Sequence, residues 1–173
     1  MMLTFGIVIF APREVQVVAI PIMRQIMPES LIRIPAHITL MFPFVAHERL
    51  DTAAQTLQTI CATIEPFEIT LAGYGQFPGI VFMQPTNPEP IKTVFRKIYA
   101  AFPECPPYGG AFGDDIHPHV TVGEFKNEDQ QRTVSLPDYA PITFRAERLH
   151  LIYDVYDEPL LGVIHSVIPF GRL

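Results

Sequence analysis

The 173-residue sequence predicts an α+β protein, and three observations support this fold class. Segments with strand character, such as 3–10 and 37–42, are interspersed with segments of helical periodicity, such as 48–64. Several predicted strands follow one another directly, which favours antiparallel pairing with helices packed against the sheet. Hydrophobic residues make up 49% of the chain and charged residues 17%, which is ample for a packed core.

The first half of the chain is expected to contain two strands and two helices. Residues 3–10 form an apolar strand that ends at Ala11-Pro12, and Pro12 suits the first position of a helix. This helix would extend towards residue 27, although Pro21 is expected to kink or interrupt it. After a loop over 28–36, the remaining elements are a strand at 37–42 and the clearest helix of the chain at 48–64.

The second half begins with two strands and a helix. Glycines 73, 75 and 79 together with Pro78 predict a turn between the two strands. The Pro/Gly-rich stretch 103–118 has no periodicity, and loops of this length are often functional. The expected elements are strands at 67–74 and 80–84, a helix at 91–102, a strand from His119, a polar connector at 127–133, and long strands at 142–153 and 160–170 joined by a turn at 157–159.

A duplicated tetrapeptide is the most informative feature of the sequence. His37-Ile38-Thr39-Leu40 reappears as His119-Val120-Thr121-Val122. In an extended strand, His and Thr share one face and the two apolar residues share the other. Two such strands facing each other would place two imidazoles and two hydroxyls around one space. An internal pseudo-twofold is therefore one hypothesis, and a single-sheet sandwich with a coincidental repeat is the alternative.

These four side chains suit acid–base chemistry on a phosphate. A neutral histidine can take a proton from water while a protonated histidine donates one to the leaving oxygen. The threonine hydroxyls can bind the nonbridging oxygens as negative charge develops there. A single strand histidine is more often structural, but duplication of the whole pattern favours function for His37 and His119. This scheme requires no metal and no cofactor.

The paired motif resembles that of the two-histidine (2H) phosphoesterase superfamily, which includes the 2'-5' RNA ligase-like proteins and cyclic phosphodiesterases. The surrounding sequences, 35–44 and 118–122, and the intervening 73–77 are similar too. The resemblance implies a bilobal fold over residues 1–173: two antiparallel-sheet lobes with helices outside, related by a pseudo-twofold, and an active-site cleft between them. It also implies that His37 and His119 are catalytic and that Thr39 and Thr121 bind the substrate phosphate.

Other residues are weaker candidates. Arg33 precedes the first motif by four residues and is a candidate phosphate contact, while Phe125 and Tyr153 are candidate partners for stacking on a base. Tyr108 and Phe112 could also stack, but each is more typical of core or loop packing. His117 and His119 form a weak metal-binding pattern, because a third clustered ligand is missing.

Charge and cysteine content limit the partners. The net charge is −6 with histidine neutral, and the sequence has no run of five Lys or Arg, so a broad grip on duplex nucleic acid is not expected. Two cysteines, Cys61 and Cys105, do not make a disulfide framework or a zinc ribbon. Residues 1–10 lack a basic n-region and are too short to span a bilayer. We expect a cytoplasmic monomer without a membrane partner.

The predicted function is metal-independent phosphodiester hydrolysis. The resemblance implies a 2',3'-cyclic phosphate or a 2'-5' phosphodiester at a nucleotide or RNA end as the substrate, and a role in RNA processing. Reversible 2'-5' RNA ligation is an alternative within enzymes, and a non-catalytic module that binds nucleotide phosphates is the other. The sequence does not say which histidine is the base.

Overall fold

The computed structural model describes residues 3–27, 32, 34–155 and 162–171, and within them it contains an eight-stranded sheet and four α-helices. Every strand is antiparallel to its neighbours in the sheet. The strands are β1 Leu3–Phe10, β2 His37–Met41, β3 Phe67–Phe77, β4 Ile80–Pro85, β5 Val120–Glu124, β6 Ile142–Ala146, β7 Arg148–Val155 and β8 Gly162–Pro169. The helices are α1 Arg13–Ile26, α2 Leu50–Cys61, α3 Glu89–Ala101 and α4 Glu128–Thr133.

The order of the strands divides the sheet into two halves. The order is β6-β3-β4-β5-β2-β1-β7-β8, so β5 ends one half and β2 ends the other. Among the described residues the two halves share one paired position, Ile38 opposite Val120. A reversal of the order about this junction exchanges β2 with β5 and β1 with β4. The α+β fold with two antiparallel lobes in a pseudo-twofold arrangement is confirmed, and the lobes are halves of one sheet.

The helices cross between the halves. Helix α1 follows β1 but packs on β5, and helix α3 follows β4 but packs on β2. The core lies between these helices and the apolar sides of the central strands, where Ile38, Leu40, Val120 and Val122 are fully buried. Burial of such side chains stabilises the fold by about 1.5–3 kcal/mol each. The opposite side of the same strands is thereby left open to form a cleft.

Of the two expected effects of Pro21, a kink or an interruption of the first helix, interruption is excluded, because α1 continues through Pro21 from Arg13 to Ile26. One stripe of the helix, formed by Val15, Ala19, Ile22 and Met23, is buried. Pro21 has no N–H to donate to the carbonyl of Val17, four residues earlier. Val17 is 65% exposed, so water can hydrate that carbonyl on the outer side of the helix. Tertiary packing of the apolar stripe outweighs the lost hydrogen bond.

The expected single strand over 142–153 is two strands in different parts of the sheet. β6 pairs with β3 at one edge, whereas β7 pairs with β1 and β8 in the other half. The buried positions change phase at this point, since Ala146 and Leu149 are both buried while Glu147 and Arg148 between them are exposed. A shift of one residue reverses which side chains face the core, so one straight strand could not satisfy both segments.

Two predicted irregular segments are regular. Strand β3 continues through the predicted turn as far as Phe77, with a register irregularity between Leu71 and Tyr74 where Gly73 adopts a positive φ of 69°. The expected connector at 127–133 contains helix α4, because the Asn127 side chain caps it by accepting from the backbone N–H of Gln130 at 2.9 Å. The predicted turn at 157–159 lies outside the described residues.

Candidate active site

A cavity of about 350 Å³ lies at the junction of the two halves of the sheet. Gly6, Val8, His37 and Thr39 line it from one half, and Ile80, His119, Thr121 and Glu124 line it from the other. Met23 and Met27 from the end of α1 and Tyr108 from the long loop complete part of its wall. All four predicted motif residues therefore border one space.

The alternation of side chains along β2 and β5 explains this placement. Ile38 and Val120 are fully buried on the core side, while the histidine and threonine of each motif are partly exposed on the other side. With Ile38 opposite Val120, the antiparallel direction sets His37 across from Thr121, and Thr39 across from His119. Each imidazole thus has a hydroxyl from the other half as its neighbour.

Both imidazoles are oriented in the same way by the backbone. His37 Nδ1 is 2.8 Å from the carbonyl oxygen of Pro35, and His119 Nδ1 is 2.6 Å from that of His117. A carbonyl oxygen can only accept, so Nδ1 carries the hydrogen in both rings. In the neutral rings Nε2 then has a free lone pair, and in the protonated rings it has a hydrogen to donate. These two backbone contacts therefore leave Nε2 of each histidine available to a molecule bound in the cavity.

Side-chain contacts hold the two backbone acceptors in place. The carboxamide of Gln16 on α1 bonds to Ala36, the residue between Pro35 and His37, through both backbone groups at 2.8 and 2.9 Å. Before the second motif, Lys92 on α3 forms an ion pair of 2.7 Å with Asp115. Helices packed on the sheet thereby brace the residues that precede each histidine.

Aromatic rings support both imidazoles from the neighbouring strands. The Phe10 ring meets His37 edge-on at 6.2 Å between centroids, and the Phe82 ring lies 4.9 Å from His119. Phe82 is buried against Gly75, where an added Cβ would lie 2.4 Å from the Phe82 ring. A glycine is required at position 75 for this packing, because a larger residue would displace the ring that supports His119.

Burial is the largest influence on both motif histidines and lowers the pKa of each below its usual value of 6.5. Hydrogen bonding to the carbonyls of Pro35 and His117 raises the pKa in each case, without reversing the direction. His119 lowers the pKa of His37 further by charge repulsion. Both imidazoles are therefore neutral at pH 7 in the free protein. A bound anion would favour the protonated form of one of them.

Among the weaker stacking candidates from the sequence, Tyr108 lines the cavity, whereas Phe112, Phe125 and Tyr153 do not. Phe125 and Tyr153 are partly buried against the core, and neither lines the cavity. The ring centroid of Tyr153 lies 5.8 Å from that of Phe5. Arg33 lies outside the described residues. Of the lining residues with polar side chains, Glu124 was not considered from the sequence, and Tyr108 was considered only as a stacking group. The long Pro/Gly-rich loop was the signal for Tyr108, since it leads directly into the second motif.

The part of the chain that the structure describes contains no cluster of three or more His, Cys, Asp or Glu side chains suited to holding a metal ion. Within the same residues, no helix combines the length and the apolar character needed to cross a membrane.

Comparison with known proteins identifies the family. A model of the family described as the 2'-5' RNA ligase superfamily matches residues 12–158, which include both motifs. The chain belongs to the 2'-5' RNA ligase superfamily. This is the two-histidine phosphoesterase family that the sequence motifs resemble, and membership indicates a phosphodiesterase-type enzyme.

Individual proteins resemble this chain at low sequence identity. A Geobacillus kaustophilus (strain HTA426) protein named as a candidate phosphoesterase is 24% identical over 158 residues, covering 87% of this chain and 88% of that protein. A crystal structure of a phosphoesterase has a TM-score of 0.72 and 17% identity, covering 99% of this chain and 100% of that one. Escherichia coli LigT complexed with 3'-AMP has a TM-score of 0.71 and 17% identity, covering 98% of both chains.

Proposed function

We propose that this protein is a metal-independent phosphodiesterase that opens a 2',3'-cyclic phosphate, or cleaves a 2'-5' phosphodiester, at a nucleotide or an RNA end. The observation that carries the proposal is the pair of backbone-oriented imidazoles, His37 and His119, on one cavity. Each ring has Nε2 reserved for proton transfer, and each is paired with a threonine from the other half of the sheet. Two proton transfers are what hydrolysis of a phosphodiester by water requires.

The proposed reaction divides the work between the two rings. One neutral imidazole removes a proton from water through Nε2, and the resulting oxygen nucleophile forms a bond to phosphorus. The bond from phosphorus to the 2' or 3' oxygen breaks, and that oxygen receives a proton from Nε2 of the other, protonated imidazole. Thr39 and Thr121 donate hydrogen bonds to the nonbridging oxygens. Proton exchange with solvent then restores the starting state of both rings.

Ligands of a structural relative support a small nucleotide as the substrate class. Crystal structures of Escherichia coli LigT are described as complexes with 3'-AMP, phosphate, ATP and NADP+. A 3'-monophosphate is also the product expected when a 2',3'-cyclic phosphate is opened at the 2' oxygen. The cavity of about 350 Å³ falls in the size range of sites for small molecules, roughly 300–1,000 Å³.

The test is hydrolysis of adenosine 2',3'-cyclic phosphate by protein dialysed against a chelator. We expect turnover by the native protein, and a loss in kcat/KM of about 100- to 10,000-fold in both His37→Ala and His119→Ala. His165→Ala is the matched control, because His165 is an exposed imidazole on β8 that does not line the cavity. Native-like activity in either motif variant would contradict the proposal.

The same arrangement could run in the direction of ligation, since an acid–base pair catalyses a reaction and its reverse. A mixture of RNA ending in a 2',3'-cyclic phosphate and RNA with a 5' hydroxyl separates the two activities by the products formed. Hydrolysis predicts a terminal monophosphate, and ligation predicts a 2'-5' linked product. Binding of nucleotides without turnover of any substrate between pH 5 and 8 would instead identify a non-catalytic module.

A further inference from the structure

The loop segment from Pro106 to Gly113 lies beside the end of β2 at the edge of the cavity. The backbone N–H of Tyr108 donates to the carbonyl of Phe42 at 2.6 Å, and both residues line the cavity. The Tyr108 side chain is 38% exposed, so part of its ring is accessible from the solvent side. The pKa of its hydroxyl is raised by partial burial, an effect opposed by interaction with Thr39. Tyr108 therefore joins the loop to the first motif.

The backbone at Tyr108 is strained. Its φ of 52° and ψ of 34° place it in the left-handed region, and no other non-glycine residue with positive φ occurs among the residues the structure describes. Bulky side chains adopt this conformation rarely, and such outliers concentrate at active sites and ligand contacts. Glycine or asparagine would fill the position with less strain. The tyrosine ring must therefore be explained by what it does at the cavity.

A second aromatic ring extends from the same loop. Phe112 is 80% exposed, and its ring centroid lies 5.8 Å from that of Tyr108 at an interplanar angle of 78°. Glycines 109, 110 and 113 around it all have positive φ, so the backbone folds tightly here and directs a large apolar side chain outward. The edge-to-face arrangement leaves a ring face of the pair free for a third flat group.

We propose that Tyr108 and Phe112 form the subsite for the nucleobase of the substrate. This inference rests on the proposed function, because it takes the phosphodiester to lie between His37 and His119. A nucleoside attached to that phosphate would extend from the motif residues along the cavity wall, where Tyr108 stands. A base then stacks on one ring and meets the edge of the other. Both purines and pyrimidines are accepted, since stacking on aromatic side chains tolerates every base.

The variants are chosen to remove the rings without disturbing the fold. Tyr108→Asn removes the ring and relieves the strain, because asparagine tolerates a left-handed backbone. Tyr108→Phe keeps the ring and removes the hydroxyl, and Phe112→Ser removes the exposed ring. Phe125→Leu is the matched control, since Phe125 is an aromatic residue packed on the core outside the cavity.

The experiment compares a substrate that has a base with one that lacks it. The probes are adenosine 2',3'-cyclic phosphate and the 2',3'-cyclic phosphate of methyl β-D-ribofuranoside. We expect Tyr108→Asn and Phe112→Ser each to lower kcat/KM for the adenosine substrate by about 5- to 100-fold. For the methyl riboside, kcat/KM of Phe112→Ser should remain within about twofold of the native value, and kcat/KM of Tyr108→Asn should fall no further than that of Tyr108→Phe. Phe125→Leu should match the native protein on both substrates. Tyr108→Phe keeps the ring but loses the hydroxyl beside Thr39, so it should change kcat/KM equally for the two substrates and keep their ratio at the native value.

The outcomes separate this inference from the proposed function. Equal losses on both substrates, or no loss on either, would overturn the base subsite while leaving phosphodiester hydrolysis intact. If the native protein opens neither cyclic phosphate, the cyclic-phosphate form of the proposed function fails, and calorimetry decides on the subsite. Adenosine 3'-monophosphate should then bind more weakly to Tyr108→Asn and Phe112→Ser than to the native protein, by the same 5- to 100-fold, about what one stacking contact supplies. Unchanged affinity would reject the subsite.

Discussion

The side-chain amide of Gln16 hydrogen-bonds to both the backbone N–H and the backbone carbonyl of Ala36, which immediately precedes His37. The same side-chain amide also donates to the carbonyl of Ala11 at 2.9 Å, at the end of β1. A residue on the first helix thus fixes the segment whose Pro35 carbonyl orients the first imidazole. The position of His37 thus depends on the side chain of Gln16, which lies 20 positions before Ala36 in the sequence. Gln16 itself does not line the cavity.

Replacing Gln16 should weaken the site and the fold together. Gln16→Leu leaves the N–H of Ala36 and the carbonyl of Ala11 without their partner, a cost of about 1–3 kcal/mol in the free energy of unfolding, while the carbonyl of Ala36 keeps its bond from the N–H of Ala11. A shift of the Pro35 acceptor would also misplace Nε2 of His37, and we expect kcat to fall at least about 10-fold. Denaturant unfolding and steady-state kinetics measure the two effects. Gln55→Leu, on the exposed side of α2, should change neither, and a stable Gln16→Leu with native kcat would contradict this role.

The pH at which kcat/KM is highest should lie on the acid side of neutrality. Because burial lowers the pKa of both motif histidines below 6.5, we expect kcat/KM to reach its maximum below pH 6.5. NMR titration of the imidazole signals provides a measurement that does not depend on turnover. His119→Ala should raise the pKa of His37, since His119 lowers it by charge repulsion. A maximum above pH 7 would show that burial does not control these groups.

His150 offers a stabilising substitution. Its Nδ1 is buried and has no hydrogen-bond partner among the residues that the structure describes, and its ring packs edge-on against Phe10 with 4.7 Å between the ring centroids. His150→Phe keeps an aromatic ring there and removes the unpaired nitrogen, so the free energy of unfolding should rise by about 1 kcal/mol at pH 7. Chemical denaturation checks this, and a loss of stability would mean that the nitrogen is satisfied in solution.

The same residue should contribute to acid sensitivity. Burial lowers the pKa of His150 in the folded state, so the unfolded chain binds the proton more readily. The stability contributed by its neutral form is present above pH 6.5 and is lost as the pH falls through the folded-state value. His37 and His119 act in the same direction. Unfolding curves between pH 7.5 and 5 should lose stability more slowly in His150→Phe than in the native protein.

Gly75 should be intolerant of a single methyl group. In Gly75→Ala the new Cβ would lie 2.4 Å from the buried Phe82 ring, and displacement of that ring should cost about 1–3 kcal/mol and disturb His119. Gly73→Ala is the matched control: nothing lies within 4 Å of its Cβ, so it should cost only the about 1–2 kcal/mol of a left-handed backbone. Thermal unfolding and the NMR signals of His119 distinguish the two, and equal effects on His119 would reject the argument.

The duplicated motif made much of the arrangement predictable. Alternation along a strand was enough to put His37 with Thr39, and His119 with Thr121, on one side, and the structure has all four on one cavity. The family assignment from the same residues is confirmed. The roles of these residues and a single two-lobed domain over 1–173 remain predictions.

The remaining features depend on long-range packing. The continuity of α1 through Pro21 is decided by burial of the helix stripe, which local propensity does not include. The break between β6 and β7 was visible in principle as a change of phase after Ala146, but the sheet partners of each strand were not. Tyr108 lies at the cavity on a loop whose backbone is hydrogen-bonded to Phe42, and nothing in the local sequence specifies that contact.

The single paired position between the halves, Ile38 opposite Val120 among the described residues, makes the reactive geometry a property of a joint. Each half of the sheet brings one imidazole and one hydroxyl, and neither half holds a complete set. The separation of the two rings therefore depends on how the halves are held against each other. Helices α1 and α3, each of which packs on a strand of the opposite half, hold them there.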